Sequence, residues 1–192
     1  MFAYLEGDLT YRSPSVLYMN VGGVGYELNI TLQTYSKIQG LERCRLFTHL
    51  QVREDAWVLY GFAEEDERST FRQLLGISGV GAATARIILS SLTPEELERA
   101  VAQEDSRTLE KVKGIGAKTA QRIILELKGK LLGTKNTGSK PLAAHNTKED
   151  DALIALVNLG ISRAAAEIAL KKINDPTSLP VEELIKQALR VL

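Results

Sequence analysis

Two short runs of this chain carry the same potential chemistry, the holding of an anion by backbone amides. Gly79-Val80-Gly81 and Gly114-Ile115-Gly116 each set one apolar residue between two glycines, within the pattern apolar-x-Gly-apolar-Gly-x-x-Thr-Ala. Glycine tolerates φ > 0 and lets another backbone come close. If one helix ends before such a turn and another starts directly after it, the amides of the loop and of the new helix's first turn face outward together. That is a phosphate site, reinforced by the partial positive charge of the helix N-terminus. Val80 and Ile115 are expected to point inward and anchor the turns. Ala82 and Ala117 open the following helices, and Thr84 and Thr119 lie in their first turns, where a hydroxyl adds a donor. Lys118 supplies a mobile cation beside the second site, with Arg122 one turn further on, while Ala85 and Ala120 are small enough for close helix packing.

The two runs belong to an internal repeat. Residues 74–92 align with 109–127, and Leu74/Leu109, Gly79/Gly114, Gly81/Gly116, Ala82/Ala117, Thr84/Thr119, Ala85/Ala120, Ile88/Ile123 and Leu92/Leu127 are identical. A repeat this short is a supersecondary unit, here a helix-hairpin-helix. Val21-Gly22-Gly23-Val24-Gly25 is a useful control, because it also contains Gly-x-Gly but has strand-like flanks and no helix after it. It reads as a hairpin turn only. Nucleotide-binding motifs fail on the residues. A P-loop needs glycine directly before its lysine, where Ala117 stands, and another five residues earlier, where Val112 stands. The dinucleotide fingerprint needs a third glycine and a preceding strand, and both are missing.

Charge distribution supports a phosphate partner. The net charge is zero, yet residues 107–130 hold seven Lys and Arg against two Asp and Glu, while residues 1–64 hold five cations against seven anions. The partner implied by this clustering is nucleic acid, with the backbone recognised instead of the sequence. Cys44 is the single cysteine, and His49 and His145 are the only histidines, so no metal-ligand cluster stands out and no cofactor is expected. No apolar run approaches the ~18–20 residues of a membrane helix, and the first residues do not read as a secretory signal. A cytoplasmic location is the expectation.

The elements that must position these turns change character along the chain. Ten of the eleven aromatic residues lie in residues 1–62, and aromatics favour pleated surfaces. Strands are expected at Phe2–Glu6, Ser15–Val21, Val24–Ile30, Arg45–Arg53 and Ala56–Phe62, with a short helical turn at Leu32–Ile38. Five short strands suggest a small closed barrel of the OB type. Their aromatics read as core and sheet packing. From Glu64 the period becomes helical, and Thr93-Pro94-Glu95-Glu96 reads as a capping box with proline at N1. About five short helices are expected over 65–132. Residues 134–147 are small and polar, the composition of a flexible linker. Beyond them Leu153, Ile154 and Val157, then Ile168 and Ala169, then Val181, Leu184, Ile185, Ala188 and Leu192 mark three amphipathic helices. The expected fold is therefore β plus α in several domains: a five-stranded OB barrel over 1–63, tandem helix-hairpin-helix motifs over 64–133, a linker, and a three-helix, UBA-like domain over 148–192.

Taken together, Val21–Glu27, Phe47-Thr48-His49, Val52–Ala56, Leu59–Phe62, Gly79-Val80-Gly81 and Gly114-Ile115-Gly116-Ala117-Lys118-Thr119-Ala120 resemble the RuvA family, the Holliday-junction-binding subunits of the bacterial branch-migration machine. The likeness covers the whole chain. It implies a homotetramer, single or doubled, that holds four-way junction DNA open on one face. It also implies a C-terminal domain that engages the hexameric AAA+ ATPase RuvB, with the resolvase RuvC as a further partner. The chain itself would be non-catalytic, and the complex with its motor an ATP-dependent translocase. The resemblance makes Glu54 and Asp55 an acidic pin near the tetramer centre, where two carboxylates would repel phosphates. Without the likeness they read as a solvated turn. Leu159, Ile161 and Leu170 are motor-contact candidates, though core packing fits each of them as well. One departure stands out. Relatives often carry lysine where this chain has Ala83 and Ala117, so the first hairpin has no cation of its own apart from Arg86, one turn on.

Two other classes compete. A helix-hairpin-helix glycosylase or lyase needs a catalytic aspartate after the hairpin, and none occurs between Lys118 and Asp150. A single-strand binder of the OB type needs a basic aromatic groove, and the first 64 residues are mildly acidic.

Overall fold

The computed structural model describes residues 2–135, 148–173 and 179–191; of residues 130–135 the backbone alone is described. Five strands close into a barrel in the order β1-β2-β3-β5-β4: β1 (Tyr4–Arg12), β2 (Val16–Val21), β3 (Val24–Ile30), β4 (Arg43–Val52) and β5 (Trp57–Phe62). Among the described residues, only β3 and β5 pair in parallel. The first strand runs well past the expected end at Glu6. Tyr4–Asp8 pair with β4, and Asp8–Arg12 pair with β2, so one strand serves two neighbours. Gly7 lies within this strand, where a Cβ would strike the Asn20 carbonyl. Alternation along the strands turns Leu5, Leu17, Met19, Leu28, Ile30, Leu46 and Leu59 into the barrel, and Ile38 joins them beside helix α1 (Leu32–Lys37).

Half of the ten barrel aromatics are exposed, so the core part of the expected core and sheet packing applies only to the rest. Phe2, Tyr4, Tyr11, Tyr18 and Trp57 face out, and Trp57 is 77% exposed. Tyr11 and Tyr18 stack across β1 and β2, as sheet packing, and Arg45 covers Tyr4.

Five helices follow: α2 (Glu65–Leu75), α3 (Ala82–Ser91), α4 (Pro94–Ala102), α5 (Ser106–Glu110) and α6 (Ala117–Lys135). The capping box at Thr93 and Glu96 is formed, with Pro94 opening α4. These helices share a second core. Phe71 of α2 meets Tyr60 and Phe62 on the outer face of β5, with ring centres 5.0 and 4.9 Å apart. A buried polar tie adds to this contact. Thr34 Oγ1 donates to Glu67 Oε2 at 2.8 Å and Thr31 Oγ1 donates to Glu67 Oε1. Both hydroxyls also accept a backbone N–H, from Ala63 and Thr34 respectively. Each hydroxyl therefore has its one proton committed to the carboxylate. Barrel and helices have separate cores, yet Met1–Thr137 form one compact unit and Gly138–Leu192 a second. Most of the expected linker, residues 136–147, lies outside the described residues.

The second unit holds α7 (Lys148–Asn158), α8 (Arg163–Lys171) and α9 (Val181–Val191). Its inward face differs from the one expected. Ala152, Leu156, Ala166, Ala169, Leu170, Leu184 and Ala188 are buried, whereas Ile154, Val157 and Ile168 are exposed. Four alanines and the leucines Leu156, Leu170 and Leu184 fill this small core together, and Ile154, Val157 and Ile168 are left outside. Pro176 and Leu192 lie outside the described residues. Among those described, no helix is long and apolar enough to cross a membrane.

Candidate nucleic-acid interface

The two glycine turns are built alike, bond for bond. In the first, Ile77 N–H donates to Leu74 O and Val80 N–H to Ile77 O; in the second, Val112 N–H donates to Leu109 O and Ile115 N–H to Val112 O, all at 3.0 Å. Gly79 and Gly114 both sit at φ +88°, where any L side chain is strained. Val80 and Ile115 are buried in the helical core and fix each turn against it. The first helical hydrogen bonds then run from Ala85 N–H to Gly81 O and from Ala120 N–H to Gly116 O, at 2.9 Å each. The N–H groups of Ala82, Ala83 and Thr84, and of Ala117, Lys118 and Thr119, precede these bonds and have no carbonyl one turn back within their helix.

Three sequence expectations need correction here. Only the first glycine of each pair uses positive φ. Gly81 is at φ −85°, ψ 171°, a region open to any residue, and Gly116 is likewise outside the left-handed region. A Cβ built on Gly81 or Gly116 would meet nothing within 4 Å, so glycine there leaves room in front of the helix end and answers no strain. Second, Val80 and Ile115 spend their N–H groups inside the turn, so their part is anchoring and they offer no donor outward. Third, Arg86 is not a free cation for the first hairpin. Its Nη1 donates to Asn29 Oδ1 at 2.7 Å and to Ser15 O at 3.2 Å, pinning α3 to the barrel.

Other expected site residues fall as follows. Ala82 is buried, so only its backbone can serve a ligand, whereas Ala117 and Lys118 are exposed. Thr84 and Thr119 are half-buried, and Ala85 and Ala120 are fully buried in the core. Arg122 is exposed on α6, and its Nη1 donates to Ser78 O at 3.2 Å, at the other hairpin. The repeat alignment gives no hint of this contact. Glu54 and Asp55 are exposed at the tip between β4 and β5, a turn closed by Arg53 N–H donating to Ala56 O at 2.9 Å. In the second unit Leu159 is 63% exposed, Ile161 packs partly against the core, and Leu170 is buried in it. Leu170 is thereby committed to the core and removed as a contact candidate. Periodicity alone points Ile154, Val157 and Ile168 inward, yet the core is filled by Ala152, Ala166, Ala169 and Ala188 with Leu156, Leu170 and Leu184, and the three stay exposed.

Three family models match the chain in order: the RuvA N-terminal domain over residues 1–61, a SAM-like tandem helix-hairpin-helix over 71–130, and the RuvA C-terminal domain over 147–192. The relative from Christiangramia forsetii, named Holliday junction branch migration complex subunit RuvA, is 46% identical over 194 residues, covering 100% of both chains. The chain belongs to the RuvA family. Relatives of the same name from Amoebophilus asiaticus (45% identical, covering 99% of this chain and 100% of that one) and Chromobacterium violaceum (43%, covering 100% and 98%) agree. The RuvA models thus divide between the two compact units, and the tandem helix-hairpin-helix match spans both glycine turns. The barrel, the paired turns and the three C-terminal helices are the architecture of this RuvA-family chain.

Proposed function

We propose that the chain binds four-way DNA junctions without regard to sequence, by holding backbone phosphates on the two glycine turns. The observation that carries this reading is the pair of matching turns. Each leaves the first-turn N–H groups of a helix without an intrahelical acceptor, with open space where Gly81 or Gly116 lacks a side chain. Lys118 adds a mobile cation to the second turn. In the working assembly, a homotetramer, the exposed carboxylates of Glu54 and Asp55 form the pin at the junction centre and repel phosphates there. The protein is a binding subunit, not a catalyst. Its C-terminal helices recruit a RuvB-type hexameric ATPase through the outward apolar residues around Leu159, and the assembly leaves a junction face for a resolvase such as RuvC. The relatives' names support this reading, since each is a subunit of a junction branch-migration complex.

The deciding experiment is a gel-shift titration of a four-way junction, a linear duplex of the same sequence and a single strand. The junction should bind at least tenfold more tightly than the duplex, and changing its sequence should leave the affinity unchanged. Equal binding of junction and duplex overturns the junction assignment. A chain ending after residue 135 should keep junction binding but lose stimulation of the motor in a branch-migration assay. Full stimulation by that shortened chain removes the adaptor role of residues 148–192.

A further inference from the structure

We infer that Arg122 supplies the cation of the first hairpin's phosphate site, although it belongs to the second hairpin's helix. This rests on the reading of both turns as phosphate sites. Between Gly76 and Ala85 the first hairpin contains no lysine or arginine. The next cation, Arg86, is held by Asn29 and Ser15 of the barrel. Arg122 fills the gap from 44 residues away, with Nη1 on the Ser78 carbonyl at 3.2 Å and near Ser78 Oγ at 3.5 Å. A Cβ on Gly79 would stand 4.0 Å from the same nitrogen, so one end of the guanidinium lies beside the turn glycine.

The chemistry suits the position. A guanidinium carries five N–H donors in a rigid fork. The Ser78 carbonyl orients one edge, leaving donors for an anion on the same side. None of the ion pairs among the described residues involves Arg122, whereas Lys128 on the same helix is tied to Glu104. The repeat does not supply this residue, because the position equivalent to Arg122 in the first copy is Ile87, which is 40% exposed. The two turns therefore share α6: Lys118, at its start, serves the second site, and Arg122, one turn on, serves the first. One DNA backbone lying across both turns would be gripped by cations from one rigid helix.

The test uses the full-length protein and four-way junctions carrying single neutral methylphosphonates at successive backbone positions. Positions whose substitution ceases to matter in Lys118→Ala mark the second site, and those that cease to matter in Gly81→Ser mark the first. Arg122→Ala should lose sensitivity at the Gly81 positions and retain it at the Lys118 positions. Its affinity should fall about fivefold or more, and its log K against log salt slope should fall by about 0.9 for each engaged chain. Adding Ala83→Lys to Arg122→Ala should restore both slope and affinity to within about twofold. Loss confined to the Lys118 positions, or no recovery with Ala83→Lys while the melting temperature is unchanged, overturns the assignment. If neither Lys118→Ala nor Gly81→Ser alters sensitivity at any position, the phosphate-turn reading itself fails, an outcome separable from failure of the Arg122 role.

Discussion

Replacing each glycine of the first hairpin should move stability in opposite directions. Gly79 is at φ +88°, so Gly79→Ala forces an L side chain into the left-handed region at a cost of about 1–2 kcal/mol. The new methyl itself meets nothing closer than Arg122 Nη1 at 4.0 Å, so backbone strain is the whole cost. Gly81 is at φ −85°, ψ 171° as the N-cap of α3, with no atom within 4 Å of a built Cβ. Gly81→Ser is therefore unstrained there. It restricts the unfolded chain and improves the cap, a gain of about 0.5–1 kcal/mol. Melting should fall by roughly 2–8 °C for Gly79→Ala and rise by roughly 1–4 °C for Gly81→Ser. Junction binding should nevertheless weaken in Gly81→Ser, because the serine oxygen takes the N–H of Thr84 and fills the space before the helix end. Losing one helix-terminal anion site costs about 0.3–1 kcal/mol. In the proposed tetramer, with four chains on one junction, that is about 1.2–4 kcal/mol, roughly 7- to 700-fold in affinity. Differential scanning calorimetry and a junction titration in the same buffer decide it. A Gly81→Ser protein that melts lower than wild type, or that binds the junction as wild type does, refutes the argument that Gly81 is kept for the ligand.

Three further perturbations follow from the same structure. Converting Glu54 to Gln together with Asp55 to Asn should keep or tighten DNA binding and narrow the junction-over-duplex preference in a competition gel shift; loss of binding would show that the tip does something other than repel phosphate. Glu67→Ala leaves the committed hydroxyl protons of Thr31 and Thr34 without their acceptor, at about 1–3 kcal/mol each, and urea unfolding should register a loss of about 2–6 kcal/mol. Burial pushes the Glu67 carboxyl above its usual range, while the bonds from Thr31 and Thr34 pull the other way. A raised carboxyl contributes stability that is complete below its ordinary pKa and is lost as pH climbs through the raised one. Acidification from neutrality should therefore stabilise wild type relative to Glu67→Gln, and parallel stability-against-pH curves for the two would contradict this.

The sequence by itself determined what is local. The paired turns, the Thr93–Glu96 cap, the hairpin at Gly22-Gly23 and the tip at Glu54-Asp55 are all set by residues within a few positions of one another, and all are in the structure. Positive φ at Gly79 and Gly114 is likewise a local demand of a turn between two helices. What only the tertiary structure decided depends on residues distant in the chain. Arg122 reaches Ser78 across 44 positions, and Thr31 reaches Glu67 across 36. Arg86 is spent on the barrel, and the C-terminal helices turn alanines inward instead of Ile154 and Val157. Periodicity defines which side of a helix is apolar, but not how closely its neighbours approach. The repeat likewise defines two equal turns by backbone, while which cation lies beside each turn depends on where a long side chain on α6 comes to rest.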